Sequence, residues 1–317
     1  MRCLVVGAGG FIGGHLTEWL QQQRCEVWAL THRPSPMLDR LNGTVEIRVG
    51  DVLDEAGMVE LIREGQPEAV FHLAAQSFPT VSWTAPAETF RINVLGTLNV
   101  LEAVRRAGVR PVIVSCGSSA EYGPNPEGAP IAETHPTIPT SPYGISKLAQ
   151  DHLARLYAQT YELPVIRARP FFLIGPRKTG DVCSDFAQRL IALERSGGRD
   201  FPVGNLEAVR DFLDIRDGAC ALWTLAQRGR PGEVYNICSG KGVAIRQMLG
   251  LMKSRLRVSI NERLDPGRLR PADDPVRIGD PHKLMALGWV PQYTLEQTIE
   301  ELLSYWRSVG ELARTSG

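Results

Sequence analysis

Tyr143 and Lys147 stand four residues apart in the run Ser141-Pro142-Tyr143-Gly144-Ile145-Ser146-Lys147. Pro142 suits the first turn of a helix, where a missing N–H costs nothing, so the run predicts a helix opening at about Tyr143. On such a helix residues four apart share a face, which brings the Lys147 ammonium beside the Tyr143 phenol. A free phenol titrates near pKa ~10, and a fixed positive neighbour favours its ionised form. The pair is therefore suited to passing a proton to or from an oxygen, as the interconversion of a carbonyl and an alcohol requires. A buried tyrosine beside a lysine whose stem packs along it would have the same spacing. What precedes the pair decides between them.

The elements that would position it begin at the N-terminus. Cys3-Leu4-Val5-Val6 is a short buried-strand run, followed by Gly7-Ala8-Gly9-Gly10-Phe11-Ile12-Gly13 and a helical pattern through Leu16, Trp19 and Leu20. Strand, glycine loop and helix in that order make a phosphate cradle: Gly7 permits the turn, Gly10 lets backbone approach a pyrophosphate, and Gly13 lets helix and strand pack closely. Phe11 and Ile12 fall inside the cradle. The next strand, 26–30, ends in Thr31-His32-Arg33. A carboxylate there would hold the ribose diol of NAD, whereas a hydroxyl and a guanidinium suit a 2′-phosphate, so NADP is the expected cofactor, with NAD as the alternative. Asp51 and Val52 follow a strand at 45–49, and Leu73-Ala74-Ala75 closes another in small residues, as backbone passing under a cofactor requires.

Strands and helices keep alternating, which predicts a doubly wound parallel α/β sheet of the Rossmann type. An amphipathic stretch over 87–107 carries Asn93, Gly96 and Thr97, and a glycine inside a helix suggests close packing there. The strand 111–116 then delivers Ser118 to the carboxyl end of the sheet, where ligands bind in such folds. Ser118 is therefore expected to face substrate.

Composition is compatible with an ordinary globular enzyme of 317 residues, 43% hydrophobic and 22% charged. The balance of 35 basic and 35 acidic residues argues against nucleic acid or a polybasic membrane surface as partner. Cys3, Cys25, Cys116, Cys183, Cys220 and Cys238 are scattered without a C-x-x-C pair, so neither a metal site nor a disulfide framework is expected. With no long apolar run and no signal-like start, a cytoplasmic location is expected.

The loop GAGGFIG, the run HLAA, Asn93-x-x-Gly96-Thr97, Ser118-Ser119 ahead of Tyr122-Gly123, and Tyr143-x-x-x-Lys147 together resemble the extended short-chain dehydrogenase/reductases acting on nucleotide sugars. The resemblance covers nearly the whole chain. It implies Ser118, Tyr143 and Lys147 as the catalytic set, with the serine holding the sugar carbonyl, the tyrosine exchanging the proton, and the lysine contacting the nicotinamide ribose. It also implies that Asp51 lies against the adenine, that Val52 and Asn93 belong to the cofactor site, and that Ser119 lies at the substrate. The segment 203–212 (VGNLEAVRDF) and Arg270-Pro271-Ala272-Asp273 resemble the GDP-mannose 4,6-dehydratases and GDP-4-keto-6-deoxymannose reductases. Arg210 and Arg270 are the expected diphosphate binders, Asp273 a candidate acceptor for the ribose hydroxyls, and Asn205 a candidate contact to the base.

Two departures from that pattern matter. Related dehydratases place a glutamate two residues beyond the catalytic Ser/Thr, where elimination needs a carboxylate acid and base; here that position is Ala120, with Glu121 one residue further. In addition, Phe172 stands where the family usually has an asparagine that helps to hold the sugar nucleotide. The expected organisation is a dinucleotide-binding part, 1–171 with 214–239, interleaved with a smaller substrate part, 172–213 with 240–317. The expected function is a homodimeric, NADP-preferring reductase taking GDP-4-dehydro-6-deoxy-D-mannose to GDP-D-rhamnose. A GDP-mannose 4,6-dehydratase, a nucleotide-sugar 4-epimerase and a catalytically silent NADP-sensing regulator are the alternatives.

Overall fold

The computed structural model describes residues 1–41, 43–125, 127–268 and 274–315, with side chains through 309. The chain runs through β1 (Arg2–Val6), α1 (Phe11–Gln22), β2 (Glu26–Thr31), β3 (Glu46–Val49), α2 (Glu55–Gly65), β4 (Ala69–His72), α3 (Pro79–Thr84), α4 (Pro86–Phe90), α5 (Gly96–Ala107), β5 (Val112–Cys116), α6 (Pro142–Thr160) and β6 (Val165–Pro170). It continues through β7 (Phe172–Ile174), α7 (Val182–Ser196), β8 (Asp200–Val203), β9 (Val209–Asp214), α8 (Ile215–Arg228), β10 (Val234–Ile237), β11 (Gly242–Ala244), α9 (Ile245–Lys253), β12 (Asn261–Leu264), β13 (Val276–Arg277), α10 (His282–Met285) and α11 (Leu295–Thr315).

In β1 every position from Cys3 to Val6 is apolar because both faces of the strand are covered. Cys3 and Val5 face a core shared with Leu16 and Leu20 of α1 and Leu222 of α8, while Leu4 and Val6 face one shared with Ile62 of α2, Leu101 of α5 and Tyr157 of α6. The result is a seven-stranded parallel sheet in the order β10-β6-β5-β4-β1-β2-β3 with helices on both sides. This is the doubly wound Rossmann architecture expected from the alternation of elements. The strand order reverses between β1 and β4, and such a switch point opens a crevice at the carboxyl ends of the strands.

The segment 172–213 builds elsewhere. β7, β9, β11 and β13 form a small sheet, and β8 pairs with β12. Phe186, Leu190 and Phe201 pack there with Met248, Leu249 and Leu303 in a core of their own. We keep the two-part division of the chain as a proposal, supported by α8 and β10 returning to the large sheet. Leu284 and Trp289, assigned to the second part by position, pack instead in the first core.

The stretch 87–107 is not one regular helix. Between α4 and α5 the turn Arg91–Leu95 widens to a π-helical spacing, and Asn93 sits in it. Gly96 fulfils its packing expectation, since a Cβ there would come within 2.8 Å of Val52 Cγ2. Among the described residues no helix is long and apolar enough to cross a membrane.

Candidate active site

The glycine loop turns tightly against the end of β4. Gly7 adopts φ +93°, and a Cβ on it would lie 2.6 Å from the Ala74 nitrogen. On Gly13 a Cβ would strike the Gly7 carbonyl, so any side chain at either position would close the cradle. The amides of Phe11, Ile12 and Gly13 precede the first helical bond of α1, Gly14 N to Gly10 O at 2.9 Å, and no side chain caps them. Helix N-terminal amides left uncapped by side chains suit a pyrophosphate, so the residues present fit a dinucleotide. Leu73, donating to the Val6 carbonyl at 2.8 Å, leads into Ala74 and Ala75 and ties the second edge of the crevice to the first.

At the adenosine end the side chains divide. Arg33 is exposed and has no ion-pair partner among the described residues, which leaves its guanidinium available to an anion. Thr31 is buried under the loop, where its hydroxyl donates to the Arg33 carbonyl at 2.7 Å and would collide with any Cβ on Gly9. In this arrangement its hydroxyl supports the loop. Ser35, absent from the sequence-based set, donates to the Gly9 carbonyl at 2.8 Å. Asp51 accepts from the Leu53 amide at 2.9 Å and lies 3.6 Å from His32, so it forms a turn as well as edging the crevice. Val52 is buried beside Gly96.

The catalytic candidates converge at the ends of β5 and the start of α6. Ser141 caps α6 by accepting from the Gly144 amide at 3.1 Å, with Pro142 in its first turn, so the helix opens where the sequence places it. Tyr143 and Lys147 are buried on one face of it. Ser118 lies close enough to the Tyr143 phenol to lower its pKa, which brings serine, tyrosine and lysine into one site.

The Lys147 ammonium donates to the Cys116 carbonyl at 2.6 Å and to Gln150 Oε1 at 2.7 Å. The helical spacing sets the shared face, but the carbonyl ending β5 decides where the long side chain terminates. Burial pushes the Tyr143 phenol well above its usual value, and Ser118 pulls it back. Burial lowers the Lys147 ammonium as well, against the pull of Cys116 and Glu121. His72, at the end of β4, is held neutral down to about pH 3 by burial and then by Lys147.

Glu121 is the residue the sequence leaves ambiguous, and the fold turns it inward. It is fully buried, with one oxygen accepting the Ser118 amide at 2.7 Å and the other receiving Arg169 Nε at 2.6 Å. Arg169 also reaches Asp151 at 3.2 Å and lies over the Tyr122 ring. Burial and the nearby Asp151 push the glutamate's pKa up, and Arg169 works against them. Glu121 thus holds the short helical turn that presents Ser118. Gly117 is needed for this reach, since a Cβ there would meet the Glu121 carboxylate.

Asn93, expected at the cofactor, is fully buried. It accepts from the Gln76 amide at 2.8 Å, donates to the Gln76 carbonyl at 3.1 Å and donates to Ser146 Oγ at 2.9 Å. Ser146 in turn donates to the Tyr143 carbonyl at 2.7 Å. Asn93 therefore clamps the loop after β4 to the start of α6 from within the widened turn that carries it.

On the substrate side, Ser119 is buried and its carbonyl accepts from Arg277. Phe172 on β7 pairs with Phe212 on β9, and the Arg210 guanidinium lies 5.5 Å over its ring. Arg210 also donates to the Asp274 carbonyl at 2.7 Å. The aromatic ring that replaces the family's asparagine thus forms a platform for the arginine. Asn205 is exposed and accepts the Glu207 amide at 2.9 Å in a local turn. Arg270 and Asp273 lie outside the described residues. Gln150 and Ser35 carry no motif of their own, and only their hydrogen-bond partners in the fold mark them.

Comparison with known proteins gives a match to the GDP-mannose 4,6 dehydratase family over residues 4–302. The chain is 34% identical to the GDP-6-deoxy-D-mannose reductase of Pseudomonas aeruginosa, with 97% of each covered. The structure of RMD from Pseudomonas aeruginosa complexed with NADPH superposes with a TM-score of 0.86 at 31% identity, covering 97% of this chain and 99% of that one. The UDP-glucose 4-epimerase of Thermus thermophilus in complex with NAD gives 0.86 at 31% identity, with the same coverage. The chain belongs to the GDP-mannose 4,6 dehydratase family and is an NAD(P)-dependent, extended short-chain dehydrogenase/reductase of the nucleotide-sugar type.

Proposed function

We propose that this enzyme reduces the C4 ketone of GDP-4-dehydro-6-deoxy-D-mannose to give GDP-D-rhamnose, with NADPH as the preferred donor. The observation that carries the choice of a reductase is the pairing of Ala120 with an inward Glu121. A dehydratase must remove a C5 proton and expel the 6-hydroxyl, which requires a carboxylate facing the sugar. Here the turn after β5 offers a methyl group at that position, and its one carboxylate is spent on Ser118 and Arg169. What remains is a ketone-reducing set.

Bound NADPH would supply the hydride. Ser118 would hold the carbonyl oxygen, and Tyr143 beside it would give it a proton. A phenol raised by burial is the protonated donor that a reduction needs. Lys147 would bring a positive charge against the phenolate left behind. Exposed Arg33 supports the NADP preference. Arg210 on its Phe172 platform, with Arg270 and Asp273, would take the diphosphate and ribose, and Asn205 would lie near the base. The 34% identity to a GDP-6-deoxy-D-mannose reductase supports the sugar and the base.

We also propose a homodimer. Ile145 and Leu156, three turns apart on α6, are about half exposed, as is Leu95 beside α5. Two-fold pairing of these helices would cover that stripe. The reaction itself is tested by incubating the protein with GDP-4-dehydro-6-deoxy-D-mannose and NADPH and identifying the product. NADPH oxidation matched mole for mole by a GDP-6-deoxyhexose supports the reading. Conversion of GDP-mannose to a 4-keto sugar without net cofactor turnover would replace it with the dehydratase.

A further inference from the structure

Lys147 ends among acceptors supplied by its own helix and by β5. An ammonium has three N–H bonds and accepts nothing. Two of the three go to the Cys116 carbonyl at 2.6 Å and to Gln150 Oε1 at 2.7 Å. Gln150 lies one turn further along α6 and is buried, at 1% exposure. Its orientation is fixed by chemistry: the amide oxygen must face the ammonium, which leaves the NH2 group for acceptors. That group donates to Ser115 Oγ at 3.2 Å and to the same Cys116 carbonyl at 3.1 Å. The amide is thus satisfied at both ends, and it anchors the lysine to the last two residues of β5. A buried amide without such partners would destabilise the fold, whereas one with them specifies a single arrangement.

We propose that Gln150 is a positioning residue for Lys147: by taking one N–H bond it holds the ammonium in a single arrangement, leaving one N–H for the reacting side of the site. This rests on the reading of Lys147 as part of the catalytic set. The titratable groups facing Lys147 are Cys116 from β5, Glu121 from the turn that follows, His72 from β4 and Tyr143 from its own helix. Cys116 is pushed up to about 11 by burial and His72 is held neutral. Neither changes charge near neutral pH, and Glu121, raised toward neutrality by burial and Asp151, is common to wild type and variant, so the difference between them on changing residue 150 reports the lost or altered contact.

The chain has five lysines, Lys147, Lys178, Lys241, Lys253 and Lys283, and Lys147 is the only buried one. Full-length protein labelled with 13C at the lysine ε carbon can therefore be titrated by NMR, with Lys147 assigned through Lys147→Met. The same samples give kcat against pH with NADPH and the GDP-4-keto sugar. In Gln150→Leu, losing one charge-assisted hydrogen bond should move both the Lys147 midpoint and the alkaline limb of kcat down by about one pH unit. In Gln150→Glu, which keeps the size and an acceptor and adds a negative charge, both should move up. If Gln150→Leu does not fold, Gln150→Glu decides. An unchanged midpoint and limb, whatever happens to the melting temperature, would make Gln150 a purely structural tie and overturn the proposal. Full turnover in Lys147→Met would instead remove the catalytic reading beneath it, a distinct outcome.

Discussion

Burial raises the Tyr143 phenol, and the Ser118 hydroxyl opposes that rise. On the proposed reading, Tyr143→Phe leaves the glycine cradle untouched and removes the proton donor. Turnover should fall by roughly 10²–10⁴-fold while NADPH binding, followed by fluorescence titration, persists; near-normal turnover would return Tyr143 to a packing role. Arg33 gives an independent prediction. Only NADPH carries the extra phosphate, so Arg33→Ala should weaken NADPH binding more than NADH binding in parallel titrations. Equal losses would separate Arg33 from the phosphate. The tyrosine and lysine were legible because helical spacing puts them on one face. The lysine's terminus was not, because a carbonyl thirty-one residues earlier in the chain chooses it.

Helices α5 and α6 are tied by Tyr157, whose hydroxyl donates to Glu102 at 2.6 Å, and Glu102 also receives Arg105 and Arg106. Hydrogen bonds from Arg105 first, then from Tyr157, hold the Glu102 carboxyl at about 2, below its usual 4.5. A depressed carboxylate contributes stability that is complete above the unfolded value and is lost as pH falls toward the folded one. The melting temperature of the wild type should therefore drop more steeply than that of Glu102→Gln as pH is lowered from 4.5 toward 2; parallel curves would deny the carboxylate that role. The outer face of α6 carries a different prediction. The wild type should sediment as a dimer at micromolar concentration, and Leu156→Glu should shift it toward monomer, since a charge would be buried in the pairing stripe. A monomeric wild type would exclude the pairing. At this scale the sequence announced the glycine loop and the start of α6 at Pro142. It concealed the widened turn at Arg91–Leu95, because apolar periodicity is nearly the same with one residue inserted into a turn.

Across the whole molecule, alternating apolar runs of strand and helix length made the parallel sheet legible, since each strand is covered on both faces. Interleaving was harder to place. Leu284 and Trp289 follow the substrate-side segments in sequence, yet they fill the core of the large sheet. On the proposed reading, the site would draw Ser118, Tyr143 and Lys147 from the large-sheet part and Phe172 and Arg210 from the smaller one. Diphosphate recognition by arginine is indifferent to the base, so guanine selection must come from polar groups that meet its edge, and these are costly to leave unpaired. GDP should bind more tightly than UDP, CDP or dTDP in calorimetric titrations, and Asn205→Ala should narrow that preference more than it weakens diphosphate binding. UDP or dTDP binding as well as GDP would remove the guanosine assignment and leave the chemistry standing. The chemistry itself is tested most directly by one reaction: purified wild-type protein, GDP-4-dehydro-6-deoxy-D-mannose and NADPH, with the nicotinamide absorbance followed and the product identified by NMR. The proposed reductase predicts NADPH consumption matched by GDP-D-rhamnose; intact ketone with unconsumed NADPH would contradict it.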